Sequence, residues 1–498
     1  MDIDYFRQLG QTAERGLFDG VFLADYVGYH PVRSAEIFAG TESPKLDPLA
    51  VLSTIAAATH TIGLIGTAST TYSQPYDLAR RFASLDHLSK GRAGWNIVTS
   101  TMENEAHNYG REAHMGHSER YARAEEFVAV ARRLWDSWEE GAYLADKESG
   151  RCTDPGRISA VNHAGEHFRV AGPLTVPRSP QGHPVLVQAG ASETGQRFAA
   201  GHAEVIFTSH PTIATAKAFR SAMHAQLAEF GRSAESLKVM PAITPILGAS
   251  RAEAQDLQRE LDALIPTQVA LSKLEALLGN IDLSGHDPDG PLPPLPEAAR
   301  AGQNSTRDRV LELAAREPLS LRELARRVAG GRTSHSVVGT ASDIAETLIA
   351  WEREGAADGF VISPPGAARR AQRFRRRSRA HPPGARTLSP GLRGIEPARE
   401  PGTGGTGERL HPRSAQPHGP GDLLEGKTAP LLRADSAKHG ADYSTVQQET
   451  FSPSAQLLVL RGRCDSCSGM ACVANATHKP EIATRTPRQK HDAGVSAP

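Results

Sequence analysis

A chain of 498 residues with 56 basic and 56 acidic side chains has no net charge, which excludes the strongly basic footprint of a nucleic-acid binder. No apolar run approaches the ~20 residues of a membrane span, so a soluble, cytoplasmic protein without a signal peptide is expected. Aromatic residues make up only 5% and prolines number 34, an unusual average for one globular unit, and it conceals two unlike halves.

Up to about Pro365 strand-like and helix-like segments alternate. Residues 4–15 read as a helix entered directly from the start, and 18–24 (FDGVFLA) as a strand ending at Asp25. A second helix spans 47–58. The run 62–68 is short, apolar and closes in the hydroxyl series Ser69, Thr70, Thr71, as a buried strand does when it delivers polar groups to a site. Pro75 opens a helix with Leu78, Phe82, Leu85 and Leu88 on one face, stopped at Lys90-Gly91. The strand 93–98 carries Asn96 and runs into Thr99 and Ser100. Two consecutive parallel strands that both finish in polar side chains point to the active face of a TIM (β/α)8 barrel, an α/β fold.

A polar loop over 101–116 contains His107, Tyr109 and His114, which spacing alone does not rank above solvated side chains. The helix 117–138 follows, then strands at 185–188, 204–208 and 239–247, with helices starting near Ser192 and at 213–230. Residues 251–336 are mostly helical, broken at 285–296, and too long for a connection, so an inserted lid without a barrel strand is expected there. A helix at 340–354 and a strand at 359–364 complete the pattern. Seven strands result where a closed barrel needs eight.

Several polar residues occupy positions suited to a ligand, each with a plainer alternative. Asp25 at a strand end can accept hydrogen bonds from a ligand or hold a turn. Thr70 can donate to a ligand edge or satisfy backbone. Asn96 offers both a donor and an acceptor, as a structural amide also would. His117 and Tyr121 stand four apart at a helix start, on one face near the positive dipole end, where a phosphate could be held. Ser192 follows a strand and a Gly-Ala turn and starts a helix, presenting amides to an anion or merely capping. Cys152 lies in the periodic part; Cys464, Cys467 and Cys472 with His478 imitate a zinc spacing by chance, so neither a disulfide framework nor a metal site is expected.

The blocks FDGVFLAD (18–25), ASTTYSQPYDLARRFASLDHLSKGRAGWNIVTS (68–100), HSERYARAEEF (117–127), PVLVQAGASETGQRFAAGHAEVIFT (184–208) and DGFVISPP (358–365) resemble the bacterial-luciferase-like flavin monooxygenases. The resemblance is closest to the nitrilotriacetate monooxygenase component A branch, which includes enzymes attacking dibenzothiophene sulfone, EDTA and long-chain alkanes. It implies a luciferase-like barrel over 1–365 that binds FMN as FMNH2, supplied by a separate NAD(P)H:FMN reductase. A flavin C4a-hydroperoxide would then pass one atom of O2 to a small organic substrate. The cofactor-binding residues it implies are Asp25, Thr70, Asn96, His117, Tyr121 and Ser192, with no dedicated catalytic side chain. Further copies of the chain in a homo-oligomer are expected, and no nucleic acid or membrane. An F420-dependent oxidoreductase of the same superfamily, or an inactive remnant, is the alternative.

The two ends depart from that pattern. Family members place a strand before the first helix and continue after the last strand with an apolar-faced helix. Here the first strand is lacking, and 366–498 reads as a disordered Arg/Pro/Gly-rich tail, as a GC-rich gene read out of frame would give. A truncated or miscalled start and a frameshifted tail are therefore expected. Unpaired barrel edges and marginal folding or aggregation would follow.

Overall fold

A computed structural model describes residues 2–29, 45–190, 192–279, 281–295, 305–330, 335–363 and 455–460. Local chemistry sets its first elements. Asp2 caps helix α1 (Ile3–Arg15) by accepting from the Asp4 amide, and a four-residue strand β1 (Gly20–Leu23) follows, buried throughout. Asp47 caps α2 (Pro48–Ala56), with Pro48 at the tolerated first-turn position. Strand β2 (Gly63–Ser69) leads to α3 (Pro75–Ser89), which Lys90 ends in the left-handed region, and β3 (Ala93–Val98) follows. The buried Arg92 guanidinium ties this unit together by donating to the carbonyls of Ala56, Thr59 and Ile62 and to Thr59 Oγ1.

A short helix α4 (Glu103–Asn108) and the long α5 (His117–Trp135) come next, then a hairpin of β4 (His163–Ala164) and β5 (Arg169–Val170). The alternation resumes with β6 (Val185–Gln188), α6 (Glu193–His202), β7 (Val205–Thr208), α7 (Ile213–Glu229) and β8 (Lys238–Leu247). Helices α8 (Arg251–Ala263), α9 (Thr267–Leu277), α10 (Ser305–Arg316) and α11 (Leu321–Ala329) follow. Leu274, Leu278, Val310, Leu321 and Leu324 give this helical segment an apolar core of its own. After it come β9 (His335–Gly339), α12 (Ala341–Arg353), β10 (Gly359–Ile362) and β11 (Ala455–Leu460).

The seven strands expected from sequence are present and parallel, in the order β1-β2-β3-β6-β7-β8, with β10 paired to β8. Side-chain alternation then sorts two cores. Phe22, Ile65, Val185, Val187, Val205, Met240 and Val361 fill the barrel interior, while Trp95 and Ile97 face outward onto Leu78, Phe82, Phe127 and Leu134 of α3 and α5.

Three expectations are corrected. The tail is not wholly without order, because Ala455–Leu460 forms β11. This strand lies between β1 and β10 and runs antiparallel to both, so the two edges expected to be open are paired. It closes the seam between β1 and β10, although with the opposite direction from the seven parallel strands. Finally, the stretch expected to hold no strand before residue 336 ends in β9, which extends the sheet beyond β8 in parallel register from Ile243 to Leu247. Residues 364–454 and 461–498, with the expected frame change near Pro365 and the tail cysteines, lie outside the described residues.

Candidate functional site

The carboxyl ends of β1, β2 and β3 gather polar side chains from distant parts of the chain. Asn96 and Thr67 are register partners, so both face the barrel interior. Asn96 Nδ2 donates to Thr67 Oγ1 at 2.9 Å, and Thr67 in turn donates to the Leu23 carbonyl at 2.8 Å. This relay fixes the amide, yet Asn96 Oδ1 is buried with no hydrogen-bond partner. An orphaned buried acceptor costs about 1–3 kcal/mol, which a donor arriving with a ligand would recover.

Asp25 follows β1 in the half-buried loop above this relay. Burial pushes its carboxyl up to about 6, against the opposing pull of Lys45. The folded carboxyl therefore holds its proton more tightly than the unfolded one, whose value is 3.8. Stability that is present at low pH is lost as pH rises from about 4 through about 6. Asp25→Asn is expected to flatten that part of the profile, as read from the difference in thermal midpoint between variant and wild type across pH 4–7.

Thr70 is completely buried, and both its amide and its hydroxyl donate to the Val98 carbonyl, at 2.9 and 3.3 Å. Its side chain thus takes the backbone-satisfying role. Ser69 Oγ meets Ser100 Oγ at 2.9 Å across the same strand ends.

A second group of predicted residues comes together where α5 and α6 begin. Ser192 Oγ caps α6 by accepting from Gly195 N at 3.1 Å, and the remaining first-turn amides have no intrahelical acceptor. His117 and Tyr121 pack ring to ring at 5.0 Å, and Tyr121 also meets Phe198 of α6 edge-on at 5.8 Å. A methyl group placed on Gly195 would stand 2.8 Å from Tyr121 Oη, 3.0 Å from Gly190 Cα and 3.1 Å from Ser192 Oγ. The absence of a side chain at Gly195 leaves a small cradle lined by a phenol, a hydroxyl and the start of a helix. That is the chemistry of a phosphate site. Asn96 on β3 is the register partner of Val187 on β6, and Gln188 after it accepts from the Gly190 amide at 2.5 Å. The cradle and the orphaned amide therefore lie along adjoining strands at one rim.

Spacing did not mark the residues that hold this rim in shape. Buried Glu105 of α4 accepts from the amides of Val27, Thr101 and Met102 at 3.1, 3.3 and 3.2 Å, joining the loop after β1 to the one after β3. Arg120 donates to the carbonyls of Thr99 and Ser100, and Arg123 to those of Thr70 and Ser73. Tyr72 Oη lies 2.5 Å from His114 Nδ1, and its ring stacks on Tyr109 at 4.7 Å. Burial, reinforced by Arg120, lowers the His114 pKa and keeps the imidazole neutral at pH 7. Of the loop histidines left unranked in sequence, His114 is thus tied into the rim, whereas His107 bonds only the Glu112 carbonyl of its own loop. Among the described residues no group of His, Cys, Asp and Glu could hold a metal ion, and no helix is long and apolar enough to cross a membrane.

An acceptor inside a barrel mouth and an anion cradle at an adjoining strand end suit a planar, N–H-bearing ring with a phosphate tail, and so fit FMN. Comparison with known proteins agrees. The luciferase-like monooxygenase profile matches residues 1–358. Nitrilotriacetate monooxygenase component A of Aminobacter aminovorans is 47% identical over 372 residues, covering 73% of this chain and 82% of that protein. N-acetyl-S-(2-succino)cysteine monooxygenase of Bacillus subtilis is 46% identical over 365 residues, with coverage of 73% and 82%. Among solved structures, riboflavin lyase RcaE with modified FMN and riboflavin superposes with a TM-score of 0.65 at 33% identity, over 76% of this chain and 85% of that one.

Proposed function

The chain belongs to the luciferase-like monooxygenase family and is a flavin-dependent monooxygenase, and on that premise we propose that it is the oxygenase half of a two-component system using FMNH2 from a separate NAD(P)H:FMN reductase. Reduced FMN, when bound, supplies the activation of O2, one atom of which enters a small organic substrate while the other leaves as water.

The observation that carries the proposal is the pairing of the orphaned Asn96 Oδ1 with the Gly195 cradle. Asn96 would accept from a ring N–H, and its fixed position through Thr67 sets the orientation of the ring in the barrel mouth. Tyr121 and the first-turn amides of α6 would hold the phosphate. Asp25, uncharged in part near pH 6, can either donate or accept at the ring edge. Residues of the loops after β1 and β3, joined by Glu105, would exclude water from the reacting face. The helical segment α8–α11, with its separate core, would act as the lid over that face. A cytoplasmic homo-oligomer is the proposed working form.

The test is coupled turnover: the purified chain with FMN, NADH and a flavin reductase, offered a panel of aminopolycarboxylates, sulfones and alkanes. Substrate-dependent O2 uptake without matching peroxide release is the expected result; uptake that is entirely recovered as peroxide with every substrate would refute it. Preference for F420 over FMN in binding would move the chain to the alternative reading. In the same experiment Gly195→Ala, whose added methyl would press on Tyr121 Oη and the Gly190 backbone, is expected to weaken FMN binding about tenfold, or ~1.4 kcal/mol, and also to lower the thermal midpoint of the flavin-free chain.

A further inference from the structure

Helices α5 and α6 both start at the rim and descend side by side, and the Gly195 cradle lies between their first turns. The spacing and register of the two helices therefore set its shape. On α5, His117, Tyr121 and Glu125 recur every four residues and share one stripe; on α6, Gly195, Phe198 and His202 recur at three and four. The two stripes meet. Tyr121 contacts Gly195 and Phe198 at the top of the seam, Phe198 packs on the His202 ring at 4.9 Å, and His202 Nε2 lies 2.5 Å from Glu125 Oε2. His202 Nδ1 is buried with no partner, so hydrogen bonding ties the imidazole to Glu125 alone. The same residue is gripped from below. Arg132, seven residues further along α5 and so about 10 Å lower, donates to the His202 carbonyl at 3.0 Å, while Arg232 donates to the carbonyls of Ala200 and Ala203 at 2.8 and 2.7 Å. Glu125 above and Arg132 below thus hold the end of α6 against sliding along α5.

We propose that Glu125 and His202 are positioning residues for the cofactor phosphate: their contact sets the register of α6 on α5, and with it the distance from Tyr121 Oη to the free first-turn amides at the other end of the seam. The inference rests on the flavin reading of the cradle. Hydrogen bonds to a phosphate form only within about 2.7–3.2 Å, whereas a slip of one residue moves a helix by about 1.5 Å. A shift well short of that takes the phenol or the amides out of reach. The pair itself lies near the surface, with the Glu125 side chain 54% and that of His202 17% exposed, so it contributes little to stability. Its loss is read in the phosphate's share of binding and not in the melting of the chain.

The experiment titrates the full chain with FMN and with riboflavin, which has the same ring and no phosphate, by flavin fluorescence; thermal midpoints of the flavin-free proteins are measured in parallel. The wild type is expected to bind FMN at least tenfold more tightly than riboflavin. Glu125→Ala should cut that preference at least threefold while riboflavin affinity and the midpoint stay unchanged. Glu125→Gln, whose amide oxygen still accepts from His202 Nε2, should keep most of it. In a His202→Ala background Glu125→Ala should have no further effect, because the contact is already gone. An FMN preference unchanged or raised in Glu125→Ala, a parallel loss of both flavins, or a Glu125→Gln chain as impaired as Glu125→Ala would overturn the proposal. A wild type that binds the two flavins alike would sink the phosphate reading of the cradle as well; a wild type that prefers FMN, beside a Glu125→Ala chain that prefers it equally, would sink the positioning role alone.

Discussion

A chain ending at Ser363, or the full chain carrying Leu458→Pro, is expected to lose cooperative unfolding or to melt at a much lower temperature. Strand β11 is paired on both sides, Leu458 opposite Gly20 of β1 and opposite Val361 of β10, and Leu457 opposite Val21 and Ile362. Without it two short parallel strands of four residues each face an open seam, next to the part of the barrel that carries Asp25. Backbone hydrogen bonds contribute about 0.5–1.5 kcal/mol each, so losing a doubly paired strand amounts to on the order of 5 kcal/mol. That is a large part of a typical ~5–15 kcal/mol stability. Proline at 458 acts through the backbone alone, since it removes an amide in a strand that has no free side on which to hide the loss. Thermal denaturation followed by circular dichroism, together with hydrogen exchange at Gly20–Leu23 and Gly359–Ile362, reads the result. A truncated chain with the wild-type midpoint and protected β1 amides would mean that β11 does not close the barrel.

How much of this was legible in the sequence depended on the range of the contact. Apolar runs such as VLVQ and the switch between strand and helix periods located the seven parallel strands, because their burial on both faces is written locally. Strand β11 escaped because six residues, AQLLVL, sit in a long aperiodic tail, and nothing local says which seam they enter. Strand β9 was masked in the same way by the helical pattern before it. At the site, Asn96, Tyr121 and Ser192 were recognisable as residues at strand ends and helix starts, where a fold delivers function. The direction of a hydroxyl is not encoded in spacing, so Thr70 could not be assigned to the Val98 carbonyl beforehand. Glu105 and Val27 are 78 positions apart, and no pattern linked them. A charged residue such as Glu105 or Arg120, placed amid helical polar sequence yet nearly fully buried, becomes informative only when its partners are seen.

Asn96→Leu should separate stability from function, with the two readouts moving in different directions. In the wild type the amide makes one bond, to Thr67, and leaves Oδ1 unsatisfied among Ile65, Val187 and the other apolar residues of the barrel interior. Replacing it with leucine forfeits a neutral hydrogen bond, about 0.5–1.5 kcal/mol, but also removes an orphaned acceptor whose burial costs about 1–3 kcal/mol. Leucine has the same number of side-chain heavy atoms, branched at the same Cγ, and its apolar surface suits that interior, so the thermal midpoint of the flavin-free chain should hold or rise provided the bulkier methyls are accommodated. Thr67 loses the Asn96 donor but still donates to the Leu23 carbonyl, so its hydroxyl keeps a hydrogen bond. Flavin affinity should move the other way. The variant offers no acceptor for a ring N–H, which would then be buried unpaired, a penalty of about 2–3 kcal/mol corresponding to roughly 30- to 150-fold weaker binding. Fluorescence titration with FMN and calorimetric melting of the same preparation test both halves together. If Asn96→Leu binds FMN as the wild type does, the unsatisfied oxygen belongs to the barrel's own packing and the cofactor ring must be positioned by other groups at the rim.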